Sequence, residues 1–271
     1  MKTAVIQLNA GNNKRRNIER AQELVNAAIA RKAKFILLPE TFNFRGKADG
    51  RKGYADMAED IPGPSVIPFI KIARRNKVFI LAGSVFERVP GRNKVFNTSV
   101  FIDDRGEIIA KYRKIHLFDA VVGNIKVKES RRFYGGRRAA MSKIGMWTIG
   151  MSVCYDLRFS ELYQKYAGNG AEVLCVPSAF IKMTGKAHWE TLLRARAIEN
   201  LCYVLAPNQT GKDGNGVPSY GNSMIIDPWG KILSRASGDK EEIIYARLDR
   251  KILKDRRTIL PGQGKRCLSK K

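Results

Sequence analysis

Histidine is nearly absent from this chain: His116 and His188 are the only two in 271 residues. That excludes a metal centre built on several imidazoles, and it leaves a Cys–His dyad open only if one of the pair reaches a cysteine. Cysteine is scarce too. Cys154, Cys175, Cys202 and Cys267 are too few and too scattered for a disulfide framework, and no C-x-x-C pair offers zinc a site. Long apolar runs are missing: nothing approaches the ~20 residues a bilayer-spanning helix needs. Met1-Lys2-Thr3-Ala4-Val5-Ile6 enters a strand pattern directly, with no secretory h-region. Together these absences predict a soluble cytoplasmic protein without a His-rich metal site or a membrane partner.

Negative charge is also in short supply, with 25 Asp and Glu against 50 Lys and Arg, a net +25. So basic a surface attracts polyanions, with an affinity that falls steeply as salt rises. The positive residues nevertheless run from Lys2 to Lys271 without forming one arm or stripe. Clusters such as Lys14-Arg15-Arg16, Arg131-Arg132 and Arg256-Arg257 flank apolar periodic segments, as solvated faces do, and no nucleic-acid recognition motif accompanies them. A basic scaffold that binds nucleic acid stays open as a reading of a different class, with specific binding disfavoured.

What is present is an ordinary globular composition, 44% hydrophobic, on a chain long enough for one large core or two fused halves. Thr3 to Leu8 reads as a strand. Ile18, Ala21, Leu24, Val25, Ala28 and Ile29 recur at helical spacing, and Phe35 to Leu38 reads as a buried strand, so the β-α-β order implies a parallel pair. Asn43 to Met57 reads as a polar loop, Pro64 to Asn76 as a helix and Val78 to Gly83 as a strand. Val95 to Ile102 and Glu107 to Tyr112 make a hairpin about Asp103-Asp104-Arg105-Gly106. The stretch from Arg113 to Gly136 reads as irregular.

In the second half Met146 to Val153 is a strand pattern followed by helical spacing from Leu157 to Tyr166. Ala171 to Val176 is a strand, a helix opens at Gly185, and Cys202 to Ala206 is another strand. Gly211 to Pro218 reads as a flexible loop. A hairpin turns about Asp227-Pro228-Trp229-Gly230, and Glu242 to Ala246 precedes a short basic helix and a polar tail. Two such β-α-β-β stretches predict an α/β fold, a four-layer αββα sandwich of two mixed sheets with outer helices.

Three residues stand where strands end. Cys154 follows an apolar run at a strand-to-helix turn, where backbone N–H groups of the next turn face any anion beside the sulfur. The competing reading is a small buried thiol. Glu40 follows Leu37-Leu38-Pro39 at a sheet's carboxyl edge, where desolvation raises a carboxyl pKa toward the range of a general base, or it is a loop carboxylate in solvent. Lys114, at the end of the hairpin, supplies a fixed positive charge where an oxyanion could develop, although among so many lysines it carries little weight alone.

Leu38-Pro39-Glu40-Thr41-Phe42, Tyr112-Arg113-Lys114-Ile115-His116-Leu117-Phe118-Asp119 and Val153-Cys154-Tyr155-Asp156-Leu157-Arg158-Phe159 resemble, in order and spacing, the signatures of the nitrilase superfamily of carbon–nitrogen hydrolases. Thr184-Gly185-Lys186-Ala187-His188-Trp189-Glu190 and the segment from Tyr220 to Gly230 resemble its Nit-type amidase branch. The resemblance implies a hydrolase domain over 1–250, with a tail over 251–271 packed on it or on a partner subunit. It implies a thiol-dependent amidase, needing neither metal nor organic cofactor, with a Glu40-Lys114-Cys154 triad, Glu129 as a supporting carboxylate and the Tyr155 backbone N–H as an oxyanion donor. Implied substrates are small carboxylate-bearing amides, deaminated glutathione first and α-ketoglutaramate next, or another aliphatic amide or nitrile. A homodimer or higher oligomer is implied as well. Phe180, Thr184 and Arg158 are candidates for substrate contact, each with plain packing or a structural ion pair as the competing role.

The chain departs from the family pattern in three places. Phe133-Tyr134-Gly135-Gly136-Arg137-Arg138 stands where a Pro-Gly or Gly-Asp turn is usual, Ser160 stands for a proline, and Pro261 to Arg266 replaces a more regular terminal motif.

Overall fold

The fold comes from a computed structural model that describes residues 1–47, 53–123 and 125–261. In chain order the first half contains β1 (Lys2–Gln7), α1 (Lys14–Ala30), β2 (Phe35–Leu37), α2 (Tyr54–Met57), α3 (Ile67–Asn76), β3 (Phe79–Glu87), β4 (Phe96–Ile102) and β5 (Ile108–Arg113). A ribbon of β6 (Asp119–Val122) and β7 (Ile125–Lys128) follows. The second half contains β8 (Ala140–Ile144), β9 (Trp147–Met151), α4 (Ser160–Gly168), β10 (Val173–Cys175), α5 (Lys182–Asn200) and β11 (Tyr203–Ala206). It closes with β12 (Met224–Ile226), β13 (Ile232–Arg235), β14 (Glu242–Arg247) and α6 (Arg250–Ile259).

Among the described residues the strands form two six-stranded sheets, ordered β14-β1-β2-β3-β4-β5 and β13-β12-β11-β10-β9-β8. Each has a parallel centre, β1-β2-β3 in one and β9-β10-β11 in the other, and antiparallel flanks. A strand's side chains alternate between faces, and in the first sheet that alternation sorts two cores. Ala4, Ile6, Ile36, Leu38, Ile80 and Ala82 pack with Ala21, Val25 and Ala28 of α1 and with Phe69 and Ala73 of α3. Val5, Phe35, Leu37, Leu81 and Phe101 face the other way, against Ile149, Met151, Val173 and Leu205 of the second sheet. Leu162 and Tyr166 of α4 and Trp189, Leu193 and Ala197 of α5 cover the far side. This is the expected four-layer sandwich. Each large apolar side chain so enclosed contributes about 1.5–3 kcal/mol relative to exposure.

Local chemistry sets the helix ends. Asn13 caps α1 by accepting from the Arg16 N–H at 3.0 Å, and Pro68 occupies the first turn of α3, where its missing N–H costs nothing. α5 opens at Lys182, three residues before the expected start at Gly185, which lies inside the helix. A Cβ on Gly185 would fall 2.4 Å from the Tyr220 side chain, so glycine there serves a close approach rather than a helix start.

Two other expectations are corrected, and the start of the tail takes one of the two positions expected for it. The segment from Arg113 to Gly136 is not irregular, because β6 and β7 pair antiparallel about Gly123, which has φ 58°. The loop from Gly211 to Pro218 is not free: Lys212 bridges Pro218, the Asp213 carboxylate accepts from the Asn215 and Val217 N–H groups, and Arg45 sits 3.4 Å from Asp213. The basic helix beyond the expected boundary at 250 docks on the domain. Leu253 of α6 is buried, and the Arg257 guanidinium donates to the Ala171 and Leu201 carbonyls. Residues 262–271, and with them most of the Pro261 to Arg266 segment, lie outside the described residues. Among the described residues no helix is long and apolar enough to cross a membrane.

Candidate active site

Glu40 is placed by the end of β2. Leu38 still donates its N–H to Leu81, after which Pro39 ends the ladder. The chain then passes so close to β3 that a Cβ on Gly83 would fall 1.9 Å from the Pro39 oxygen. Thr41, at φ 48°, donates its N–H to Ser84 Oγ and completes the turn. The Glu40 side chain is buried, with Oε1 accepting from Asn97 Nδ2 at 2.8 Å, and its carbonyl accepts from Gln209, which stitches the two halves together.

Lys114 leaves β5 with its N–H on the Asn97 carbonyl and its own carbonyl on Gly136. Only 1% of it is exposed. Its ammonium lies 3.0 Å from Glu40 Oε1 and 2.9 Å from Glu129 Oε2. Glu129 is held in turn by the Phe118 N–H at 2.7 Å. Burial alone would lower the lysine pKa, but the Glu129 and Glu40 carboxylates outweigh it and hold the ammonium well above its usual value. Burial raises the Glu129 carboxyl, with Lys114 opposing and Glu40 reinforcing.

Cys154 sits just past β9, in a 3₁₀ turn over Cys154–Arg158, at φ 49°. A side chain at positive φ is uncommon and costs on the order of 1 kcal/mol or more, a strain that surrounding structure must hold. The Cys154 N–H donates to the Pro177 carbonyl at 2.9 Å. The sulfur lies close enough to the Glu40 carboxylate and the Ala179 backbone to feel both electrostatically. Burial pushes its pKa well up, Glu40 adds to that and Lys114 opposes it, so the resting group is a thiol. Cys175 and Cys202 are core residues: burial alone raises the first thiol, and burial pushes the second up to about 12 against Arg257.

Glu40, Lys114, Glu129 and Cys154 thus line one cavity of about 440 Å³. Its walls include Phe44, Tyr54, Phe86, Phe118 and Phe133. Its outer side carries Lys126 and Lys128 of β7 with Arg131 and Arg132, all exposed, while Arg45 is fixed by Asp213 and Ser219. Arg132 lies over the Tyr54 ring at 4.9 Å. Lys128 stands across the ribbon from Asp119, whose carboxyl it helps to hold below its usual value, while Lys126 and Arg131 have no carboxylate within salt-bridge distance among the described residues.

Three sequence candidates lie elsewhere. The chain after β10 is extended, so Ala179 and Ile181 line the cavity and Phe180 points the opposite way, buried against Trp189 at 4.8 Å. Thr184 donates to the Ile181 carbonyl in the first turn of α5. Arg158 stacks over Tyr155 and Phe180 and reaches His188 at 3.4 Å. The Tyr155 ring packs on Phe118 and Phe159. Neither histidine lines the cavity. Sequence reasoning missed the cations of the ribbon and treated Arg131-Arg132 as a solvated face. The alternation Lys126-Val127-Lys128 after a Val-Val-Gly turn was the available signal. Among the described residues no group of three or more His, Cys, Asp or Glu could hold a metal ion.

A family profile described as carbon-nitrogen hydrolase matches residues 2–258. The chain belongs to the carbon–nitrogen hydrolase family. It is 37% identical over 249 residues to a protein named deaminated glutathione amidase from Dictyostelium discoideum, covering 90% of this chain and 86% of that one. It is also 37% identical to omega-amidase NIT2 from Homo sapiens, with 95% and 92% covered. Among solved structures the NitFhit protein of C. elegans superimposes with a TM-score of 0.90 at 33% identity. That match covers 98% of this chain but only 65% of the longer NitFhit chain, so this hydrolase spans about two thirds of it.

Proposed function

We propose that this carbon–nitrogen hydrolase is a thiol-dependent amidase that converts a terminal amide of a small carboxylate-bearing molecule to the acid and ammonia. Cys154 attacks the amide carbon while its proton passes to Glu40, and the C–S bond forms as the carbonyl oxygen becomes an oxyanion. The Lys114 ammonium and the Tyr155 backbone N–H stabilise that oxygen. Glu40 returns the proton to the nitrogen, the C–N bond breaks, and ammonia leaves a thioester. Glu40 then takes a proton from water as the water attacks, and collapse releases the acid and restores the thiol. Glu129 keeps the ammonium charged and aimed, since it and Glu40 are the two carboxylates on Lys114.

The observation that carries this reading is one cavity with a thiol, a carboxylate and an ammonium at its buried end and exposed cations at its mouth. An amide entering with a remote carboxylate outward is matched at both ends. Deaminated glutathione is the substrate favoured here and α-ketoglutaramate the alternative, as the two named relatives lead one to expect. The same reading makes the protein a cytoplasmic homodimer or larger oligomer, which light scattering on the purified chain would measure.

Ammonia release from a panel of ω-amides, with Cys154→Ala beside the parent, tests the proposal. The expected result is turnover of carboxylate-bearing amides by the parent and none by the variant. A parent inert across the panel that binds oligonucleotides selectively at moderate salt would replace the amidase with the nucleic-acid reading.

A further inference from the structure

Asp156 lies two residues beyond Cys154 and is fully buried, yet it touches no part of the cavity. Its carboxylate takes four hydrogen bonds. Oδ2 accepts from the Val153 N–H at 2.9 Å and from Tyr112 Oη at 2.7 Å. Oδ1 accepts from the His116 N–H at 2.9 Å and from His116 Nδ1 at 2.7 Å. A carboxylate offers about four acceptor positions, so this one is saturated, and next to it Nδ1 of His116 is the protonated ring nitrogen. The His116 ring is fixed a second time by stacking on Phe159, with centroids 3.6 Å apart and planes 6° from parallel.

The donors come from two distant segments. Val153 precedes the nucleophile, whereas Tyr112 and His116 stand two residues either side of Lys114. One buried carboxylate therefore ties the Cys154 turn to both flanks of the lysine. The His116–Asp156 pair has the form of the base half of a thiol triad, but His116 does not line the cavity, where Cys154 is met by Glu40 instead. Its role is then mechanical. Cys154 is held at φ 49°, a conformation that relaxes unless something restrains the turn, and the Val153 N–H on Asp156 is such a restraint.

We propose that Asp156 and His116 are positioning residues that set the separation between the Cys154 sulfur and the Lys114 ammonium, acting across the junction of the two sheets. The inference rests on the amidase reading above. It locates a determinant of kcat outside the cavity, since catalysis falls by orders of magnitude when reacting groups move by about an ångström.

The experiment compares His116→Leu, His116→Asn and Tyr112→Phe with the parent on one carboxylate-bearing amide, measuring kcat and KM separately, melting temperature, and alkylation of the Cys154 peptide by iodoacetamide. His116→Leu removes the Nδ1 donor; His116→Asn keeps an N–H within reach of Oδ1. Expected is a 10- to 100-fold fall in kcat for His116→Leu with KM within about 3-fold and the Cys154 peptide alkylated to the same extent as in the parent. His116→Asn returns kcat to within about 5-fold of the parent, and Tyr112→Phe lowers it by a smaller factor than His116→Leu. Unchanged kcat in His116→Leu overturns the proposal. So does an equal loss in His116→Asn and His116→Leu, or a loss accounted for by unfolded protein. A parent with no amidase activity refutes the underlying reading instead, a result distinct from an active parent with indifferent variants.

Discussion

The two ends of the cavity obey opposite electrostatic rules. At the buried end each charge has its partner: Lys114 is flanked by Glu40 and Glu129, and Asn97 and the Phe118 N–H complete the carboxylates. At the mouth Lys126, Lys128 and Arg131 are exposed, and Lys126 and Arg131 form no salt bridge among the described residues. A buried ion left unpaired is destabilising by several kcal/mol, so the inner charges come as a set. Exposed cations cost little to leave single and can wait for a ligand. Under the proposed function the chemical step falls to the inner set and the choice of substrate to the outer one.

Substitution at either end should therefore separate kcat from KM. Cys154→Ala, with the nucleophile gone, is expected to reduce turnover by at least ~10⁴-fold, measured as ammonia release. Lys114→Met removes one oxyanion donor and is expected to lower kcat by about 10²–10³-fold. Because it also leaves Glu40 and Glu129 without their shared cation, its melting temperature should fall as well. At the mouth, Lys128→Ala or Arg131→Ala should raise KM for a carboxylate-bearing amide by about 5-fold each, since an exposed ion pair contributes about 1 kcal/mol or less, with kcat within 2-fold. Added salt should narrow that gap, and an uncharged aliphatic amide should not show it.

The last effect is on stability, with turnover little changed, and concerns the frame. Glu87 packs beside the strand that delivers Lys114, accepting from Arg113 at 2.7 and 2.8 Å and from Thr98 at 2.7 Å. Burial opposes its charge, but the Arg113 and Thr98 hydrogen bonds outweigh that and hold its carboxyl below the usual value. A depressed folded-state pKa adds stability above the usual carboxylate range, and that stability is lost as pH falls through the folded value. Glu87→Gln should thus cost about 1–3 kcal/mol at neutral pH and less in acid, read from denaturant melts at both pH values.

Three parts of the buried end were legible in the sequence because each marks a strand's end, whereas Glu129, just past the unread ribbon, came only from the family resemblance. Glu40 follows an apolar run and a proline, Cys154 follows another apolar run, and Lys114 closes a hairpin with a clear turn. The layers were legible for a related reason, since continuous apolar strands flanked by amphipathic helices admit few arrangements. The mouth was not. The ribbon of β6 and β7 is short and exposed, so it buries no face that periodicity could report. Phe180 was misassigned because an extended segment turns alternate side chains away, and the one-residue phase is set by tertiary packing. Three of the four hydrogen bonds on Asp156 join positions 40 or 44 residues apart, which no local pattern records.

The central claim is that Cys154 carries the acyl group. Rapid acid quench of the enzyme during steady-state turnover of a carboxylate-bearing amide, followed by intact and peptide mass measurement, tests it directly. The expected result is an added mass equal to the acyl fragment without its nitrogen, confined to the peptide containing Cys154 and removed by hydroxylamine. An adduct on another residue, or ammonia release undiminished in Cys154→Ala with no adduct at all, would contradict it.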